Sequence, residues 1–487
     1  MTAPLSLHNG QCVPLDWIPM VDSREFAETI NRLAMQGSRP VSYFAYRTKE
    51  SLLIRIAVLC DELRGTLCAL QSIVTGELSS LTPDHPSFNL FEREIAEQFG
   101  MVFKNHPWPK PVRSIRHQNF YTIDGPEVHE VAVGPVHAGV IEPGHFRFNC
   151  HGELVFHLEI SLGYQHRGIE QSLIGSSWPR ALRLIECAAG DTSVSHAQAC
   201  TMLHESLTGS SVPAHAQAVW AIGAELERCA NHTGDLGALA GDVGYLPTSS
   251  YCGRIRGDFL NMTALFCGNR FGRGLVRLSG TGVNVSATEI KELLKRLEHA
   301  QGDAESAIEL LFDDPSVQAR FEGTGILKKA DCLALGLVGV AARASGCAHD
   351  VRQDMPYGMY RFAHVPAVVG TNGDVHDRAL VRYRELQNSM AFIREQASYL
   401  PVYVASGVQK NMPCAPDSLA VALTEGWRGQ ICHTVITDSV GAIARYKIVD
   451  PSFYNWIGLG IAMRNQQISD FPLCNKSFNL SYCGFDL

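Results

Sequence analysis

Three prolines alternate with other residues in NHPWPKPVRS, Asn105 to Ser114, and this stretch limits the fold more than any other. Each proline fixes its own φ, removes a backbone donor and pushes the preceding residue away from the helical region. Neither a helix nor an inner strand can run through it. The chain is therefore expected to divide here, with a connecting segment reaching about Gly125. Before the break, VSYFAYR and LLIRIAVLCD are rich in β-branched and aromatic residues and read as strands. NLFEREIAEQFGM, Asn89 to Met101, reads as an amphipathic helix with Phe91, Ile95 and Phe99 on one face. Residues 1–125 are expected to form a small α/β domain.

Beyond about Pro126 the pattern changes. GELVFHLEISLG, Gly152 to Gly163, alternates as a strand does. Helical periodicity then runs through PRALRLIECAAG, SHAQACTMLHESLTG, residues 214–241, ATEIKELLKRLEHAQGDAESAIELLFDD and HDRALVRYRELQNSMAFIREQASYL. In SATEIKELL, a serine or threonine followed by Glu289 has the spacing of a capping box. A β-rich patch, GWRGQICHTVITD through ARYKIVD, follows near the end. The expected fold class is α+β, with residues 126–487 forming a second, mainly helical domain. No internal repeat stands out.

A chain of 487 residues with 46% hydrophobic and 18% charged content can bury a substantial core. Its net charge of −8 argues against a broad phosphate-neutralising face. None of the 15 cysteines forms a C-x-x-C, so no iron–sulfur cluster or structural zinc is expected to be held by this chain alone. The first residues lack the charged start and apolar core of a secretory signal, and no apolar run approaches the roughly 18 residues of a spanning helix. The expected location is cytoplasmic, with any membrane attachment made through partners. No G-x-G-x-x-G follows a strand in a βαβ setting, so NAD binding is not expected.

One segment has the composition of a site. IECAAGDTSVSH, Ile185 to His196, gathers a cysteine, an aspartate, hydroxyl residues and a histidine just before a helical run, yet carries no chelating cysteine pair. Asp191 and Thr192 are also residue types that cap a helix, here one beginning near Ser193.

Several strings together resemble a known family. FEREIAEQFGMVFKNHP is similar to the signature of the smaller hydrophilic subunit of the quinone-reducing module of respiratory complex I. VGPVHAGVIEPGHFRF, LEISLGYQHRGIEQ, AELERCANHTGDLGAL, CGNRFGRGLVR and RYKIVDPSFYNW resemble the large subunit shared by complex I and the membrane-bound [NiFe] hydrogenases. The fusion of the two parts, with EPGHFRF and CGNRFGRG, looks most like the large subunit of hydrogenase-4 and formate hydrogenlyase.

The resemblance implies where a nickel–iron centre would sit. The family's first cysteine pair, laid on this sequence by His196, falls on Ala189 and Thr192, and its second pair falls on Ser481 and Gly484. Cys187 and Cys483 lie off the ligand register. Without thiolates, the soft ligands those metals require, no metal is expected here.

Complex I, which also lacks the ligands, implies a quinone-binding use for the cavity. In that frame Arg167, with His166 before it, matches the arginine against a [4Fe-4S] cluster held by a partner small subunit. A fixed positive charge there would raise the cluster's potential. His145 is the candidate for the histidine that protonates quinone, although it stands eight residues from His137. Asp242, ten residues after His232, falls on the aspartate that the family pairs with the quinone histidine. The family's headgroup tyrosine, due near Gly190, is missing. Asp191, Thr192 and His196 occupy that place and could form a polar, proton-relaying floor.

Arg343, Asp350 and Arg352 are expected near the cavity, as an ion-pair network that either moves protons or holds a turn together. Gln430 stands where the family usually has a carboxylate. Arg270, Arg273 and Arg277 read as a basic hairpin or partner-docking loop. Two functions are therefore expected. One is an oxidoreductase subunit that takes electrons from a partner's cluster and couples this to antiporter-like membrane subunits and proton translocation. The other is a redox-silent conformational element of such a complex. Hydrogenase activity is disfavoured by the missing ligands.

Overall fold

The computed structural model describes residues 2–114, 119–136, 141–278, 280–281, 283–403 and 412–487. His137 lies outside the described residues. The first part of the chain forms β1 (Leu5–Leu7), β2 (Gln11–Pro14), β3 (Met20–Val21), α1 (Ser23–Met35), β4 (Arg39–Arg47), β5 (Leu53–Asp61), β6 (Thr66–Ile73), β7 (Leu78–Ser79), α2 (Asn89–Phe99) and β8 (Phe103–Lys104). Its main sheet has the order β1-β6-β5-β4, with β3 parallel to β6. Strands β4 and β5 are buried along nearly their whole length. Helix α1 lies on one side, where Arg55 of β5 sits 4.1 Å over the Phe26 ring. On the other side Arg445 of β16 (Ile443–Val449) lies 5.9 Å from the Phe44 ring, and the Tyr454 hydroxyl reaches the carbonyls of Pro40 (3.2 Å) and Val41 (3.1 Å). A sheet covered on both faces needs continuous apolar strands rather than alternating ones, which is how these two read.

Helix α2 packs Phe91 against Phe453 at 5.1 Å and ends at Gly100, whose φ of 66° suits a left-handed cap. The remaining elements are β9 (Val128–Val133), β10 (His145–His151), β11 (Leu154–Ser161), α3 (Ile169–Leu173), α4 (Trp178–Ile185), α5 (Ser193–Thr208), α6 (Ala214–Asp242), α7 (Leu246–Cys267), β12 (Val276–Arg277), β13 (Gly280–Thr281), α8 (Ala287–Asp313), α9 (Pro315–Phe321), α10 (Lys329–Leu335), α11 (Gly339–Ala344), α12 (Val351–Asp354), α13 (Val375–Ser398), β14 (Ser418–Gly426), β15 (Gly429–Thr437), β16 (Ile443–Val449), α14 (Pro451–Ala462), α15 (Phe471–Phe478) and α16 (Tyr482–Phe485). The class is α+β. The capping box of α8 is present, with Ser286 accepting from the Glu289 N–H and the Glu289 carboxylate accepting from the Ser286 N–H.

The two parts are interleaved at the start of the chain. Strand β2 pairs antiparallel with β14, Gln11 opposite Val421 through Pro14 opposite Ser418, and completes a sheet of order β16-β15-β14-β2. Pro14 fits because it stands on the edge strand. Helix α6 runs through the centre of the helical part and is buried along most of its length, with Glu225, Glu227, Arg228, His232 and Asp235 inside.

The hairpin of β14 and β15 closes on the pair Gly426 and Gly429, which leaves Trp427 and Arg428 as a two-residue turn. Gly339, at φ 65°, presses against this tip so closely that a Cβ there would lie 1.8 Å from the Arg428 carbonyl oxygen. Only glycine permits that crossing, and it fixes where the Arg428 side chain starts.

Candidate functional site

The segment between α4 and α5 folds as a tight turn with Ala189 and Thr192 buried. Thr192 stands at the N-cap of α5, but its side chain does not cap the helix. The cap comes from α6. The Glu227 carboxyl accepts from the Val194 N–H at 2.8 Å and from the Ser195 hydroxyl at 2.9 Å. Burial pushes Glu227 up to about 8 despite these hydrogen bonds, with nearby Asp191 adding to the rise. The capping role open to Asp191 and Thr192 is thus taken by another residue, and Asp191 is left for a different partner.

That partner is Arg428. Its two terminal nitrogens each meet one Asp191 carboxylate oxygen at 2.7 Å, a bidentate fork. Its Nε donates to the Asn479 carbonyl at 2.6 Å, and its guanidinium lies 3.9 Å over the Trp427 ring. The Asp191 carbonyl is held in turn by the Trp427 indole and the Asn231 amide, both at 3.0 Å. Burial opposes ionisation of Asp191, but the guanidinium beside it outweighs this and holds the carboxyl below its usual range. Arg428 therefore ties the turn carrying Ala189 and Thr192 to the segment leading into Ser481 and Gly484.

Those four positions offer no soft donor. Ser481 caps α16, its hydroxyl accepting from the Gly484 N–H at 2.9 Å. A Cβ at Gly484 would lie 2.7 Å from the Asp450 carboxyl carbon. Cys483 is buried, and burial keeps its thiol neutral by raising its pKa. A methyl, two hydroxyls, a bare backbone position and an adjacent guanidinium do not fit a nickel–iron centre.

Arg167 is exposed and bridges the same two segments from outside. It donates to the carbonyls of Cys187 (2.7 Å), Ala188 (2.8 Å) and Cys483 (3.3 Å). His166, also exposed, has Nδ1 3.3 Å from the Asp486 carbonyl.

His196 heads a buried chain that the sequence did not reveal. Its Nε2 is 3.1 Å from Asp450 and its Nδ1 is 3.0 Å from His433 Nε2, while His433 Nδ1 is 2.8 Å from the Tyr446 hydroxyl. One tautomer set satisfies every link. Tyr446 donates to His433, His433 to His196 and His196 to Asp450. Burial, with His196 beside it, drives His433 well below the usual histidine range, which suits a neutral ring.

His145 and Asp242 are not paired. His145 opens β10, with Nδ1 3.2 Å from the Gly134 carbonyl and Nε2 without a partner among the described residues. Asp242 closes α6 and is exposed. His232 is occupied by Glu385, with its Nε2 at 2.9 Å. Ten helical residues carry Asp242 about 15 Å along the axis from His232, so no pairing occurs there either. The cluster Arg343, Asp350 and Arg352 does come together, buried with Glu225, Arg228, Glu385 and Glu425. Glu225, Arg228 and Glu385 were not foreseen, and their one signal was the polar lettering of helices α6 and α13. Glu425 lies on β14, in the string whose Gln430 stands where the family usually has a carboxylate.

Residues 242–486 match the family described as respiratory-chain NADH dehydrogenase, 49 Kd subunit, and residues 26–125 match the respiratory-chain NADH dehydrogenase, 30 Kd subunit. The chain is 32% identical over 352 residues to the carbon monoxide-induced hydrogenase of Rhodospirillum rubrum, covering 72% of this chain and 96% of that protein. It is 26% identical over 440 residues to the NADH-quinone oxidoreductase C/D polypeptide of Bacteroides thetaiotaomicron, covering 79% and 83%. To hydrogenase-4 component G of Escherichia coli it is 25% identical over 442 residues, covering 85% and 76%. The chain belongs to the family of complex I and membrane-bound hydrogenase hydrophilic subunits, in the form that fuses the 30-kDa and 49-kDa parts.

Removing the carboxylate from Asp191 leaves Arg428, whose side chain is 6% exposed, without its anion. Asp191→Asn is expected to cost about 2–3 kcal/mol in chemical denaturation, below the figure for a fully dry pair because the Asp191 side chain is 34% exposed. Asp191→Asn combined with Arg428→Met is expected to recover part of the loss. Glu227 sets a pH dependence. Its folded value of about 8 exceeds its ordinary 4.5, so the folded chain binds the extra proton and stability declines as pH rises between those values. Glu227→Gln mimics the neutral carboxyl. Denaturation curves at several pH values are expected to match wild type at the acid end of this window and to exceed it by about 4 kcal/mol at the alkaline end.

Proposed function

We propose that this chain is the large hydrophilic subunit of a membrane-associated oxidoreductase complex related to complex I and hydrogenase-4, and that it works without a nickel–iron centre of its own. In this reading a partner small subunit holds a [4Fe-4S] cluster against Arg167, and the chain couples the cluster's electron to proton movement in its buried polar interior. The observation that carries the reading is the double bridge across the two vacated segments, by Arg428 from within and Arg167 from the exposed side. In the resemblance Arg167 falls on the cluster-facing arginine of complex I, and its exposure here supports the reading.

Hydrogen turnover, suggested by the names of two relatives, is not carried over because the thiolate positions are Ala189, Thr192, Ser481 and Gly484. Quinone chemistry lacks its supporting pair, since His145 and Asp242 do not meet, and the headgroup tyrosine is absent. Among the described residues no helix is long and apolar enough to cross a membrane, so attachment would run through membrane subunits.

The test is redox titration of the cluster in the purified complex. Arg167→Ala is expected to lower its potential by roughly 20–60 mV, the effect of about 0.5–1.4 kcal/mol on one electron, while Arg167→Lys keeps it nearer wild type. A potential unmoved by Arg167→Ala favours the redox-silent, conformational role.

A further inference from the structure

A second polar system includes Glu425 of the hairpin that also carries Arg428, and reaches the seam between the first part of the chain and the helical part. Three guanidiniums, Arg228, Arg343 and Arg352, are buried with four carboxylates, Glu225, Asp350, Glu385 and Glu425, each no more than 3% exposed. His232, which touches Glu385, is driven toward its neutral form by burial. Four anions against three cations therefore leave one excess negative charge in a dry interior, and one bound proton removes it.

The four carboxylates are not equally compensated. Glu225 meets Arg352 (3.1 Å), Arg228 (3.1 Å), the Tyr360 hydroxyl (2.6 Å) and the Ser389 hydroxyl (2.6 Å). Glu385 meets Arg343 (2.8 Å), Arg228 (3.4 Å) and His232 (2.9 Å). Asp350 takes Arg352 at 2.7 Å and also caps α12. Glu425 has one guanidinium, Arg343 at 2.8 Å, and one N–H, from Val351 at 3.1 Å. The Tyr357 hydroxyl beside it accepts from the Glu425 backbone N–H.

Glu425 also faces a void of about 10 Å³, room for about one water. From α12 and the loop before it, the void is lined by Asp350, His349 and Asp354. From the first part of the chain it is lined by Arg39, by Glu62, which pairs with His349, and by the Cys60 thiol. Burial pushes that thiol up to about 12 and so keeps it neutral. From β15 the void is lined by Gln430. The titrating atoms of Glu62, His349 and Asp354 lie within 4.8 Å of one another, and all three residues are partly exposed. Arg39 pairs with Glu62 at 2.6 Å and donates to Gln430 at 2.5 Å, which leaves Gln430 Nε2 unpartnered among the described residues and close to the void.

We infer that this seam is a proton-loading site, in which Glu62, His349 and Asp354 form the mouth, one water in the void carries the proton, and Glu425 receives it. The O–H bond on the bridging water breaks as one forms on Glu425, and the water is reprotonated from the mouth. Loading neutralises the buried cluster and unloading restores its excess charge. The electrostatics agree with the geometry. Burial, reinforced by Asp350, raises Glu425 to about 7 against the pull of Arg343, Arg228 and Arg352, while Glu225 is held at about 2. The site is distinct from Arg167 and stands whether or not that residue faces a cluster.

Infrared difference spectroscopy of the full chain against pH reads the proton directly. A protonated carboxyl band that titrates near neutrality is expected in wild type and should be missing in Glu425→Gln, which keeps the neutral shape. Deuterium exchange into the wild-type band should slow at least tenfold in His349→Ala and in Asp354→Asn. A band retained in Glu425→Gln, or wild-type exchange rates in both mouth variants, overturns the inference. If Glu425→Gln does not fold, the exchange rates of the mouth variants decide alone.

Discussion

The fork between Arg428 and Asp191 joins two segments that lie far apart in sequence, and much of the surrounding arrangement follows from it. The resemblance to hydrogenases implies that in those proteins a metal and its thiolates join the equivalent segments. Here a cation still stands between them, as a guanidinium on a hairpin tip. A buried ion pair holds only if both partners are well placed and their remaining donors are satisfied. Gly339 and Gly429 fix the hairpin tip, Trp427 supplies a flat face beneath the guanidinium, and Asn479 accepts the remaining Nε donor. The Asp191 carbonyl is held from two sides, which orients the carboxylate.

The same logic extends inward. Helix α6 contributes Glu225 and Arg228 to the ionic cluster, Glu227 to the cap of α5 and His232 to Glu385. Each ionisable group held inside must find partners or change its protonation state. Both outcomes are present. Glu225 and Glu385 are ionised among arginines, while Glu227 and Glu425 are raised toward neutrality.

Much of the architecture was legible in the sequence. The lack of helix and strand in the proline stretch Asn105 to Ser114, the strands β4 and β5, helix α2 and the capping box of α8 follow from local periodicity and turn chemistry. The positions on which the family's ligand motifs fall were read through the resemblance alone. What stayed hidden was long-range. Gln11 to Pro14 carries no sign that it will complete a sheet with Ser418 to Val421. Arg428 looked like one basic residue in GWRGQ, and its partner Asp191 read either as a helix cap or as part of a polar cavity floor, with no sign of the pairing. His433 and Asp450 lie on β15 and at the start of α14, and only folding brings them to His196. Asp242 failed for the opposite reason. Its alignment was clean, but the helix carries it to an exposed end.

The most direct measurement of the central claim is nickel per chain in the complex purified from its native source. Partner-held iron leaves that reading unaffected. If Arg428, Asp191 and Asp450 fill the place of the metal, nickel stays far below one atom per chain even when supplied in the growth medium. One tightly held nickel per chain, resistant to chelators, would contradict the account.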